Sequence, residues 1–164
     1  ERHDRSALMA EARERALATY VEWGDVCSKA GLTLTVENEV HVRHTVAPRA
    51  EILAELIQRS GRDNIKVNLD TGHAHIGAGL REEFAALQDL VVHLHLNDGR
   101  TPGVSEHLPL GEGCADFTPL AHFLAEMRGA AVLEIYAPDR PVEATRASRE
   151  FLLRLLAETG ALGS

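Results

Sequence analysis

Four stretches of the chain alternate apolar and polar residues at period two, and the segments between them repeat their apolar positions every three or four residues. The first kind predicts strands at residues 32–38 (LTLTVEN), 65–70 (IKVNLD), 91–98 (VVHLHLND) and 130–137 (AAVLEIYA). The second predicts helices. Residues 6–29 carry Leu8, Ala12, Leu17, Tyr20, Val21, Gly24 and Cys27 along one side and stop at Gly31. Pro48 opens a helix that runs to about Ser60 and is closed by Gly61. Further helices are expected at 80–89, from Asp116 or Thr118 to Met127 with Gly129 beyond, and at 141–158, where Phe151, Leu152, Leu155 and Leu156 share a side. Strand and helix alternate throughout, which calls for a parallel α/β sheet with helical crossovers.

The two faces of each strand differ. Leu32, Leu34 and Val36 oppose Thr33, Thr35 and Glu37; Ile65, Val67 and Leu69 oppose Lys66, Asn68 and Asp70. Val92, Leu94 and Leu96 oppose His93, His95 and Asn97; Leu133 and Ile135 oppose Val132, Glu134 and Tyr136. A doubly wound sheet covered by helices on both sides would be apolar on both faces. One face that turns polar toward every carboxyl end is the pattern of a (β/α)8 barrel interior near its active site. Glu37, Asp70, His95 and Glu134 should therefore converge. Three carboxylates crowded around an imidazole repel one another unless a cation neutralises them. Mixed carboxylate and imidazole ligation suits Mn2+, Mg2+, Zn2+ or Co2+.

Composition narrows the field. The 164 residues carry a formal net charge of −8 and no Lys/Arg run, which disfavours a nucleic-acid backbone or an anionic membrane as partner. No apolar stretch approaches transmembrane length. Cys27 and Cys114 form no CxxC motif or disulfide framework, so a reducing, cytoplasmic setting is expected. The chain starts without Met inside a helical pattern, which suggests a processed or excised piece. Residues 1–164 are expected to make one partial domain.

The motifs VENE, LDTGHA, HLHLND, HLPLGEG and VLEIY, in that order, resemble the C-terminal half of the xylose-isomerase-like TIM-barrel superfamily. That group includes sugar isomerases and epimerases, hydroxypyruvate isomerase, inosose dehydratase and the endonuclease IV repair enzymes. The resemblance implies strands five to eight of a barrel, with Glu37, Asp70, His95 and Glu134 as metal ligands. It further implies proton transfer beside the carbonyl of a small sugar, polyol or hydroxy acid, through an enediolate, with Glu37 and Glu134 as acid and base. His73 resembles a substrate-orienting histidine and His107 one at the pocket mouth. Arg100 stands in a loop suited to a substrate oxygen, with a solvated side chain as the other reading, and His93 should line the pocket or bond a neighbouring strand. Gly111 and Gly113 are expected to shape a turn and not to cradle phosphate.

An endonuclease IV-like zinc phosphodiesterase is the less favoured alternative, because its Asp-x-His pair meets Ser105-Glu106-His107 here. A non-catalytic fragment that binds metal only is the other. Four strands leave two open edges, so the ring would be closed by a missing half or by a homodimer, or would stay open.

Overall fold

The computed structural model describes residues 2–39, 45–100 and 104–162. Its elements are α1 (Arg2–Lys29), β1 (Leu34–Glu37), α2 (Ala50–Ser60), β2 (Ile65–Asp70), α3 (Thr71–Ile76), α4 (Leu80–Leu87), β3 (Val91–Leu96), a 3-10 turn (Thr118–Leu120), α5 (Ala121–Glu126), β4 (Ala130–Leu133) and α6 (Pro141–Glu158). The strands form one four-stranded sheet in the order β1-β2-β3-β4, with every neighbouring pair parallel. Strand order that follows chain order belongs to a singly wound barrel; a doubly wound sheet reverses direction partway. The architecture is a truncated (β/α)8 barrel, as the alternating pattern leads one to expect.

The outward face of the sheet carries the core. Ile65, Val67 and Leu69 of β2 and Leu94 and Leu96 of β3 are all but inaccessible. They pack beneath Leu53 and Ile57 of α2, Leu80, Phe84 and Leu87 of α4, and Leu120. Full burial of one such side chain contributes roughly 1.5–3 kcal/mol. Helix α2 ends where Gly61 adopts φ 63° and its N–H reaches the Gln58 carbonyl, a left-handed cap that glycine takes without strain.

Several boundaries depart from the sequence pattern. Helix α3 was not expected; Asp70 caps it by accepting from the His73 N–H, so the strand turns directly into a helix. The helix expected up to Met127 is split into a 3-10 turn at Thr118-Pro119 and a short α5. Strand β4 stops at Leu133, but its line of bonds runs on: the Glu134 N–H donates to Leu96 O at 3.1 Å and the Tyr136 N–H to His107 O at 2.6 Å. The partner of the chain end thus changes from β3 to the loop after it. In β3 the strict alternation is broken by a bulge, with Val67 opposite Val91 and Asn68 opposite His93. Consequently Val91, and not Val92, is the buried valine of that strand.

The long β3–α5 loop is tied down by one carboxylate. Asp98, 1% exposed, accepts the N–H groups of Gly99 and Ala115 on Oδ1 and those of Gly111 and Gly113 on Oδ2. Its backbone also makes a two-way bridge with Leu108 at 2.9 Å each way. Gly111 and Gly113 shape this turn, and the bonds to Asp98 occupy their N–H groups.

Candidate metal and substrate site

Each of the four convergent residues comes from the carboxyl end of a different strand. Glu37 closes β1, Asp70 closes β2, His95 lies near the end of β3, and Glu134 follows β4. One ligand atom from each lies within 4.8 Å of all the others. His95 Nδ1 stands 2.9 Å from Glu134 Oε2 and 3.2 Å from Glu37 Oε2. Yet His95 Nδ1 and Glu134 Oε2 are buried atoms without a hydrogen-bond partner. Electron-rich atoms that close on a common point without bonding one another fit a divalent cation.

The electrostatics agree with crowding. Burial pushes the Glu37 carboxyl above its ordinary value; the charges of Asp70 and Glu134 add to the rise, while His95 and His73 oppose it.

Two more histidines stand at the rim. His73 Nδ1 lies 2.9 Å from the Asn38 carbonyl, and His107 Nδ1 lies 3.1 Å from the Glu134 carbonyl. A carbonyl only accepts, so both rings carry their proton on Nδ1 and present a free Nε2 when neutral. The rings meet edge to face with centroids 5.9 Å apart. His107 holds φ 49°, a left-handed conformation that costs a non-glycine residue energy. A space of about 370 Å³ opens beside it, lined by Ser105, Glu106, His107, Glu134, Ile135 and Tyr136.

The other expected site residues fall into place less uniformly. His93 lies directly below His95, with ring centroids 5.3 Å apart and a buried Nε2 that finds no partner. Arg100 is exposed, and its Nε donates to the Glu112 carbonyl at 3.2 Å, which holds the guanidinium against its own loop. Cys114 Sγ stands 3.5 Å from His75 Nε2 at the edge of that loop.

Three asparagines complete the site without having been assigned a role. Asn68 Nδ2 donates to Glu37 Oε2 at 2.9 Å, and Asn97 Nδ2 donates to Asp70 Oδ2 at 2.7 Å. Asn38 grips the backbone of Asp70, donating to its carbonyl and accepting from its N–H. The available signal was their position: Asn68 and Asn97 share the polar face of their strands with the ligands.

The family model of the xylose isomerase-like TIM barrel matches residues 1–155. No curated protein sequence matches the chain. Among solved structures, a D-tagatose 3-epimerase-like protein superposes with a TM-score of 0.77 at 22% identity, covering 93% of this chain and 57% of its own. The 3-keto-D-glucoside 4-epimerase of E. coli gives 0.72 at 19%, covering 89% and 55%. The probable 3-DHS dehydratase of Bacillus anthracis gives 0.71 at 16%, covering 89% and 57%. The chain thus spans little more than half the length of these neighbours. No helix among the described residues is long and apolar enough to cross a membrane. On the match along nearly its whole length, the chain belongs to the xylose isomerase-like TIM-barrel family.

Proposed function

We propose that this chain supplies the metal-binding half of a divalent-metal-dependent isomerase or epimerase acting on a small sugar, polyol or hydroxy acid. The observation that carries the reading is the convergence of Glu37, Asp70, His95 and Glu134 within 4.8 Å, with atoms of His95 and Glu134 unpaired. These four would hold Mn2+, Mg2+, Co2+ or Zn2+. When bound, such an ion lowers the cost of negative charge on a substrate carbonyl oxygen. Glu37 and Glu134 come from the two ends of the sheet and both approach His95 Nδ1, and in this reading one takes a proton from one face of a substrate carbon and the other returns it to the opposite face. The free Nε2 atoms of His73 and His107 orient hydroxyl groups, and the space beside His107 receives the far end of the substrate. The solved neighbours named for sugar epimerases and a dehydratase support this substrate class. Isomerase, epimerase and dehydratase share the first proton abstraction. Arg100 joins the substrate only if it leaves the Glu112 carbonyl.

A second reading rests on the two open sheet edges: this chain binds metal, and turnover waits for whatever closes the ring. Native mass spectrometry with Mn2+ tests both. One ion per site, abolished by Glu37→Ala and by Asp70→Ala, is expected. Incubation with ketoses in D2O then reads proton exchange. Deuterium uptake by a metal-loaded dimer supports catalysis by two paired copies, whereas metal binding without uptake favours the second reading. No metal binding overturns both.

A further inference from the structure

The geometry points to Asn68 and Asn97 as positioning residues that fix Glu37 and Asp70, leaving Glu134 as the member of the cluster that no side-chain amide holds. This rests on the reading of the cluster as a metal centre.

The argument begins with how each amide uses its two ends. Asn68 is 5% exposed and Asn97 is fully buried. Each donates its Nδ2 to one carboxylate oxygen, and each leaves its Oδ1 buried with no partner. A buried unsatisfied acceptor costs about 1–3 kcal/mol, a cost each amide carries at its Oδ1 while its Nδ2 serves the carboxylate. Reversing either amide would set oxygen against carboxylate, so the carboxylate alone dictates its orientation. Asn68 lies on β2, next to the strand that ends in Glu37, and Asn97 directly follows β3, next to the strand that ends in Asp70, so the pattern occurs twice across the sheet. Room for the second is made by Gly72, where a Cβ would collide with Asn97 Oδ1.

The result is an asymmetric cluster. Asp70 receives the Asn97 amide on Oδ2 and the His73 N–H on Oδ1, both at 2.7 Å. Glu37 receives Asn68 on Oε2. Glu134 offers only its backbone carbonyl to His107, and its Oε2 accepts no hydrogen bond. Residues that orient metal ligands in this way usually contribute 10–100-fold in metal affinity.

The test compares Asn68→Leu and Asn97→Leu with wild type in two measurements, the Tm of the metal-free chain and the Kd for Mn2+. The expected result is a Kd raised about 10–100-fold, alongside a metal-free Tm that falls at least for Asn97→Leu, which strips the buried Asp70 Oδ2 of its donor. A lowered Tm with unchanged Kd would mean that the amides only support the fold, and would overturn the proposal. Side-chain amide NMR of the metal-free wild type supplies an independent readout. The bonded Nδ2 hydrogens of Asn68 and Asn97 should exchange slowly, and protection should be lost at Asn68 in Glu37→Ala and at Asn97 in Asp70→Ala. Protection that survives those changes sinks the proposal even if the Leu variants fail to fold. If wild type binds no Mn2+, the metal reading is what fails, and the amide spectra still decide whether the asparagines hold the carboxylates.

Discussion

The middle of the sheet and its β4 edge carry equivalent ligands in different surroundings. Asp70, between two paired strands, is 0% exposed and both its oxygens accept hydrogen bonds. Glu134, just past an edge strand, has a side chain 43% exposed and held by no donor on Oε2. The strands differ in the same way: β2 is buried along nearly its whole length, while Ala130, Ala131 and Val132 of β4 are exposed. The amide that holds a carboxylate comes from the next strand along the sheet, Asn68 of β2 for Glu37 and Asn97 just past β3 for Asp70. Glu134 follows β4, the last strand in that order, and has no such donor among the described residues.

The comparison can be broken at four points. The largest effect is expected in the core: Leu94→Ala, at 0% exposure, should cost about 2–5 kcal/mol in urea unfolding, against less than about 0.5 kcal/mol for Val132→Ala at 42% exposure. Equal costs would mean that β4 is packed as tightly as β3. Next, calorimetric Mn2+ titration of Asp70→Asn should show affinity lowered by more than about 100-fold, and Glu134→Gln by roughly tenfold, since loss of a fixed ligand exceeds loss of its supporting bonds. The reverse order would make Glu134 the anchor. Third, Gly72→Ala drives a methyl group into Asn97 Oδ1 and should cost about 1–3 kcal/mol, with a weakened Asn97–Asp70 bond seen in the amide spectrum.

The smallest effect concerns Glu83, 6% exposed, whose carboxyl is raised above its ordinary value mainly by burial. A raised carboxyl binds its proton more tightly folded than unfolded, so its ionisation removes stability as pH climbs through the folded value. Glu83→Gln should therefore raise Tm at pH 8 and change it little at pH 4. A rise of the same size at both pH values would assign the effect to packing.

Period two made the ligand set legible, because Glu37, Asp70, His95 and Glu134 recur at the same phase and the same end of each strand. Parallel order was legible too, from the helices between them. The bulge at Val92 was not, since one skipped residue in β3 leaves no mark in a sequence that reads well in either phase. Helix α3 was hidden because TGHAHI reads as a strand-end loop until Asp70 is seen to cap it. Arg100 shows a further limit: a cationic side chain in a suitable loop says nothing about which carbonyl it will find, and here Glu112 of its own loop supplies one. The asparagines were visible as inward residues, but the bonds that give them purpose run between strands, and spacing along the chain does not encode those.

The order of the strands has a consequence for synthesis. Each strand lies beside the one before it in the chain, so Leu34 meets Ile65, and His93 meets Ala130, across a single intervening βα unit. A segment emerging from the ribosome can add each strand to an edge that already exists, without waiting for residues yet to be translated. Among the four described strands β4 is translated last, and Glu134 follows it. The four ligands are therefore translated in the order in which their strands lie in the sheet, from Glu37 to Glu134.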